Sequence, residues 1–327
     1  MRAATAPTAP TAPTARVAPA PPARRPWAAH PARVARLAAA ALLGSAALLA
    51  PVRARGQTQV DERRPLLATG SVKLYNLFGS IRVIGWERDS VAVTGTLSLG
   101  ERLFVGGTPQ GLKIGVESPE ERTVRGAHLV LRVPARARVW VKTSGAEIVV
   151  SGVTGGLDLY SVGASIRVTG SPRELNAEAM DGAVEVNGSP AWLRVKTATG
   201  AIALRGGGED VRLSSVSGPI TVQGGTLGRG AFENVTGDIQ FAGAVERSGA
   251  LTFDAHSGGV EVALARPVAA DFDVVTIAGE IENYVSPARP VAGRDARGRE
   301  LHFATSPDGA RVTVRSFKGR VVLRAAP

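Results

Sequence analysis

Five stretches decide how this chain is read: VWVKTSGAEIVV (139–150), LDLYSVGASIRV (157–168), LNAEAMDGAVEV (175–186), LRVKTATGAIAL (193–204) and VRLSSVSGPITV (211–222). Their small central residues, Thr143, Ser161, Ala179, Thr197 and Ser215, are spaced by 18. Apolar residues stand two and four positions before each of these anchors, and two more stand five and seven positions after it. In the first stretch they are Val139, Val141, Ile148 and Val150. A glycine always falls between the halves, at Gly145, Gly163, Gly182, Gly200 and Gly218. Self-similarity at a fixed period is the signature of a repeat architecture.

The same template fits Asn76, Ala255 and Ser316 without a lapse, and Asn234 and Thr276 with one lapse each, Gly230 and Asn283. Across ten copies 38 of the 40 designated positions are apolar, a register that chance alternation would not hold. Apolar residues at period 2 on both sides of a glycine describe two short strands joined by a turn. One such pair buries too few side chains to offset the cost of ordering its own backbone. Stacking solves this, because each coil pairs its backbone with the coils on either side and continues one thin core. The expected fold is all-β: a single-chain β-solenoid (β-helix) of about 18–21-residue coils, rising roughly 4.8 Å per coil. Small anchors suit an inner corner, and the glycine is expected to supply a positive φ there.

The expected organisation is a leader over 1–54, an N-terminal arm over 55–70 and the repeat domain over 71–327. Within that domain, residues 71–138 read as a sheet-rich N-terminal cap and first coil, 139–284 as regular coils, and 285–327 as a loop and final coil. A cap is needed because an open terminal coil is an unpaired edge. The leader begins as a Pro/Ala/Thr tract too low in complexity for a core. Arg33 and Arg36, the apolar run Leu37–Ala50 and the small-residue site Val52-Arg53-Ala54 then follow. Basic, apolar and small, in that order, describe a secretory signal peptide, and imply a protein of the periplasm, cell surface or exterior with no membrane span after cleavage. Two other readings are an uncleaved anchor helix, for which this run is short against the about 20 residues of a span, and a twin-arginine signal at Arg24-Arg25, which Ala23 and Pro26-Trp27 fit poorly.

The leader also distorts the charge balance. It holds seven arginines and no acid, so 32 basic residues face 28 acidic ones in the remainder, a net charge of +4 rather than +11. No basic face clusters in the repeats, which argues against nucleic acid. Without a cysteine the chain has no disulfide framework, thiolate metal site or lipid-modified N-terminal cysteine.

The run Asn76-Leu77-Phe78-Gly79-Ser80-Ile81-Arg82-Val83, the pair Gly85-Trp86, and the stretch from Val133-Pro134 through Lys142-Thr143-Ser144-Gly145 into successive Ser/Thr-x-x-Gly-x-Ile-x-Val turns resemble the bacterial putative adhesin family. The resemblance spans roughly residues 70–325. It implies an exported β-solenoid domain of unknown molecular function and an adhesive role. It brings no catalytic or binding residues with it.

Chemistry is sparse. His128, His256 and His302 stand alone in different parts of the stack, with no HxxxH spacing. The run Gly224-Gly225-Thr226-Leu227-Gly228-Arg229-Gly230 opens no helix and reads as a loop between coils. No catalytic residue and no cofactor is expected. Carboxylates are the one signal to weigh: residues 231–284 hold nine acids against two arginines. The repeat register sets Glu233 beside Asp254 and Glu261 beside Glu282 on the outer face. Three readings compete: a solvated acidic face, a face covered by the basic tail 286–327, and a site for a divalent cation or a sugar. The functional expectation is a non-enzymatic cell-envelope or surface module that binds an envelope, glycan or protein ligand. The alternatives are a carbohydrate-active enzyme with paired carboxylates and an envelope-stress or signalling module.

A compact signal of ordinary length begins at Val34, so translation is expected to start at a Val codon there. N-terminal sequencing of the precursor checks this, and a peptide covering Thr8–Arg24 would overturn it.

Overall fold

The computed structural model describes residues 57–118, 126–293 and 297–326. The predicted leader, residues 119–125 of the predicted cap, and residues 294–296 of the excursion at 286–310, which is the loop expected before the final coil, lie outside them. The described residues are all-β, with 25 strands in one network of pairings and no helix.

The five quoted copies become five stacked tiers. Their first strands are β8 (Arg138–Thr143), β10 (Gly156–Ser161), β12 (Glu174–Ala179), β14 (Trp192–Thr197) and β16 (Gly208–Ser215), each parallel to the next. Their second strands begin with β9 (Gly145–Ser151), β11 (Ile166–Thr169), β13 (Val184–Asn187) and β15 (Ile202–Arg205), again parallel and in register. Thr143, Ser161, Ala179, Thr197 and Ser215 are direct rung partners. Beyond them the halves fuse into longer strands, β17 (Ile220–Asn234) and β18 (Ile239–Ala255), followed by β19 (Val260–Leu264).

The order of tiers departs from the order of the chain at both ends. The first copy, β2 (Ser71–Tyr75) and β3 (Phe78–Trp86), lies between β8/β9 on one side and β6 (Gly111–Glu117) and β7 (Ala127–Pro134) on the other. Outside these come antiparallel strands: β5 (Arg102–Thr108) on β6, β4 (Ser90–Leu97) on β7, and β1 (Thr58–Pro65) on β4. The residues read as an arm thus contribute the edge strand β1, which carries Asp61, Glu62, Arg63, Arg64 and Pro65, the charged and proline-bearing edge that discourages further pairing.

At the other end the last copy, β24 (Ala310–Ser316) and β25 (Val321–Ala325), inserts between β18/β19 and the tier formed by β20 (Ala270–Thr276) and β21 (Ile281–Asn283). The excursion supplies β22 (Val291–Ala292) and β23 (Arg299–Ala304), antiparallel strands that cover β20.

Inward positions of both ladders meet in one core, and the designated apolar residues are almost all fully buried. Phe232 and Phe253 stack with centroids 4.9 Å apart, and Phe241 of the facing ladder lies 5.8 Å from each. Those rings account for the first lapse in the template, since a Cβ at Gly230 would stand 2.8 Å from the Phe232 ring. The second lapse, Asn283, belongs to the last tier and is half-buried; its amide donates to Ser286 Oγ (3.0 Å) and the Ala288 carbonyl (2.9 Å).

The glycine of the anchor turn has a different cause from the one expected. Positive φ belongs to the opposite turn, as at Gly170 (128°) and Gly188 (147°), and not to Gly182, Gly200 or Gly218. What these need is closeness: a Cβ at Gly200 would lie 2.0 Å from the Gly182 carbonyl oxygen, and one at Gly218 2.0 Å from that of Gly200.

Gly200→Ala is therefore expected to cost about 1–3 kcal/mol in urea unfolding, the scale of an overpacked site. Gly163→Ala, whose added Cβ would meet nothing nearer than Ser144 O at 3.8 Å, is expected to stay within about 0.5 kcal/mol of the parent.

Candidate binding gutter along the anchor corner

Each anchor ends a first strand and turns the chain into the second. At five of the Ser, Thr and Asn anchors the side chain takes up the backbone N–H three residues on, whereas Thr197 Oγ1 donates to the Gly200 carbonyl (2.7 Å) and Asn76 Nδ2 to that of Ala127 (3.1 Å). Thr143 Oγ1 accepts from Ala146 (2.7 Å), Ser161 Oγ from Ala164 (3.1 Å), Asn234 Oδ1 from Gly237 (2.8 Å), Thr276 Oγ1 from Gly279 (3.0 Å) and Ser316 Oγ from Gly319 (3.0 Å). The anchors are buried yet polar because the turn supplies partners that a buried hydroxyl or amide requires.

Alternation along the strand then sends both neighbours of the anchor outward. The residues that follow it form one column, in tier order Leu77, Ser144, Val162, Met180, Ala198, Val216, Val235, His256, Phe317 and Ile277. Met180 is 57% exposed, Val216 53%, Ile277 49% and Phe317 47%. Phe317 stacks on His256 with centroids 4.8 Å apart and planes 2° from parallel. The preceding residues form a mixed column that includes Tyr75, Lys142, Tyr160, Glu178, Lys196, Glu233, Asp254 and Arg315. Between the columns runs a gutter over the anchors. One stretch of about 710 Å³ spans the tiers of Ser215, Asn234, Ala255, Ser316 and Thr276, and another of about 320 Å³ those of Thr143 to Thr197.

This column is the feature that the sequence reading passed over. Its signal is present in the repeat, an apolar residue immediately after a small anchor, but the template scored only inward positions.

The four carboxylates singled out from the sequence do not come together. Glu233 and Asp254 are rung partners on the first-strand ladder and line the gutter. Glu261 and Glu282 lie on the second-strand ladder, whose outward side faces away from the first. These two are not neighbours either, because the inserted β25 places Val322 between them. The expected Glu261–Glu282 adjacency assumed that tiers follow chain order, and the last copy breaks that order.

The inserted copy also brings cations to them. Arg324 pairs with Glu261. Arg320 grips Glu282 with both ends of its guanidinium, at 2.7 and 2.6 Å, and the Tyr284 hydroxyl donates to the same carboxylate at 3.0 Å. These hydrogen bonds, Arg320's foremost, hold the Glu282 carboxyl below the usual carboxylate range, and the acceptor in turn raises the Tyr284 phenol and the Arg320 guanidinium. Glu233, Asp254 and Arg315 form no ion pair among the described residues. No three His, Asp or Glu side chains converge among them in a way that could hold a metal.

No family model and no curated protein matches the chain. Several solved structures are similar to it. A protein of Parabacteroides distasonis described as a putative lipid binding protein is 14% identical with a TM-score of 0.42, over 81% of this chain and 96% of its own. A putative adhesin of Parabacteroides merdae is 12% identical with a TM-score of 0.42, over 81% and 95%. A putative adhesin of Bacteroides fragilis is 8% identical with a TM-score of 0.38, over 82% and 97%.

For Glu282 the folded value lies below the unfolded one. Its contribution to stability is therefore present above the unfolded carboxylate range and lost as pH falls through the folded value. Arg320→Gln is expected to move the Glu282 titration, followed by carboxyl NMR shifts, up toward the ordinary range. Tyr284→Phe should move it the same way by less, and an unmoved titration in Arg320→Gln would refute the assignment.

Proposed function

We propose that the tiers wind as one β-solenoid and that the protein is a non-enzymatic, exported binding module of the cell envelope, with the anchor-corner gutter as its contact surface. The observation that carries this reading is the distribution of exposed large hydrophobics. Of fourteen among the described residues, seven fall in the single column that follows the anchors. Scattered apolar side chains are ordinary on a surface, whereas a contiguous exposed apolar patch marks an interaction site. A solenoid suits such a role because its repeat extends any favourable position into a long linear surface.

The carboxylates favour binding over glycoside cleavage. A glycosidase sets two carboxyls about 5–10 Å apart on either side of the scissile bond. Glu233 and Asp254 instead project from adjacent rungs along one rim of an open gutter. The family resemblance and the signal-like leader support an exported location.

The purified protein is expected to sediment with isolated bacterial envelopes, and Val216→Asp together with Ile277→Asp should reduce that retention at least tenfold while leaving the circular dichroism unchanged. Retention equal to the parent's would refute the gutter as the contact surface.

A further inference from the structure

The gutter's chemistry narrows its occupant, given that it is the contact surface proposed above. A strand-adding peptide would need free backbone groups, and this corner has spent them between tiers. The carbonyls of Val216, Val235, His256 and Phe317 accept from Thr236, Ser257, Lys318 and Ala278 at 2.9, 2.8, 3.0 and 2.7 Å. A peptide lying here would bury its own amides without partners. Its period is also wrong, because like-facing residues of an extended chain recur at about 6.6 Å while the tiers recur at about 4.8 Å. A second copy of this protein is disfavoured by size. The apolar wall is one side chain wide and its members are about half exposed, so it offers a few hundred Å², short of the about 800 Å² that each partner buries in a stable complex.

An unbranched hydrocarbon meets none of these obstacles. It has no amide to satisfy and no side-chain period to match, and the larger stretch of the gutter is mostly apolar. Five tiers at about 4.8 Å give it a run of about 19 Å, and the second stretch continues past Met180.

The rim specifies what such a chain should carry. Asp254 and Arg315 occupy adjoining rungs, opposite in charge, and neither is closed into an ion pair with the other or with another described residue. A cationic and an anionic side chain one rung apart complement a head that bears both charges. We propose that the gutter holds the acyl chain of a zwitterionic aminophospholipid, its phosphate at Arg315, its ammonium at Asp254, and its tail running from Phe317 along Val235 and Val216 toward Met180.

The test is calorimetric titration of the purified protein with 16-carbon lysophosphatidylethanolamine below its critical micelle concentration. Saturable one-to-one binding is expected. Phe317→Asp and Val235→Asp should each weaken it at least tenfold, and Leu99→Asp, at a site 85% exposed elsewhere, should leave it unchanged. Arg315→Gln and Asp254→Asn should weaken it about threefold or more, and hexadecanoate should bind the parent correspondingly less well. A diazirine-bearing tail crosslinked to the unsubstituted protein should place its adducts between Met180 and Phe317, which needs no variant to fold.

Absence of binding, binding indifferent to both wall substitutions, equal binding of hexadecanoate, adducts elsewhere, or association with vesicles alone would each overturn the assignment. So would a dimer in sedimentation equilibrium that Phe317→Asp dissolves, which would give the corner to a second copy. Loss of lipid binding alone, with envelope retention still sensitive to Val216→Asp, would overturn the lipid and leave the contact surface standing.

Discussion

From the tier of Gly182 onward, neighbouring tiers approach so closely at the anchor turn that a methyl group has no room between them. The carbonyl oxygen of each turn glycine points at the α-carbon of the next, from Gly182 to Gly200 to Gly218 and again from Gly258 to Gly319 to Gly279. That approach keeps the parallel ladders in register, because a tier displaced by one residue would set a side chain where only hydrogen fits. Buried Ser, Thr and Asn anchors complete the arrangement by bonding to the turn's own backbone, through its N–H at Thr143, Ser161, Asn234, Thr276 and Ser316 and through its carbonyl at Thr197, so that the corner is both tight and satisfied.

Registered tiers turn every position of the repeat into a column. Inward positions make the core. Outward positions make lines of like or unlike side chains whose character follows from the residues that share a place in the period. Arg167 illustrates the favourable case, reaching Glu147 at 3.1 Å and Glu185 at 3.3 Å on the tiers to either side. Arg138 reaches Asp158 and Glu174, which belong to the next two tiers on one side. Such exposed pairs add little to stability singly, and the pairing of opposite signs matters chiefly in avoiding a run of like charge. The apolar column beside the anchors is the same geometry applied to Val, Met, Ile and Phe, and it creates a surface where chain order alone suggests only scattered exposed residues.

The carboxylates show where pattern and placement part company. Glu233 and Asp254 are neighbours as the spacing implies, because copies 234 and 255 are adjacent in both chain and stack. Glu261 and Glu282 are equally regular in spacing, yet a third copy stands between them. The arginines that meet these two acids come from that inserted copy, so the basic tail does lie against part of the acidic run, by insertion into the ladder.

The paired strands of the ten copies, their inward residues and the all-β class were legible in the amino-acid order, since period-2 alternation about a glycine has one physical meaning and recurs ten times, whereas Gly224–Gly230, read as a loop, lies within β17. Even the two lapses, Gly230 and Asn283, stood out as exceptions, though not their reasons, a phenyl ring filling one gap and a terminal tier exposing the other. The order of the tiers was decided only by tertiary structure. Copies that share one template are interchangeable as rung partners, so nothing local tells Val312 that it belongs between Leu251 and Phe272 rather than beyond them. The same degeneracy hid the second reason for glycine and the gutter itself, because both depend on which turn lies against which, a distance between residues far apart in the chain.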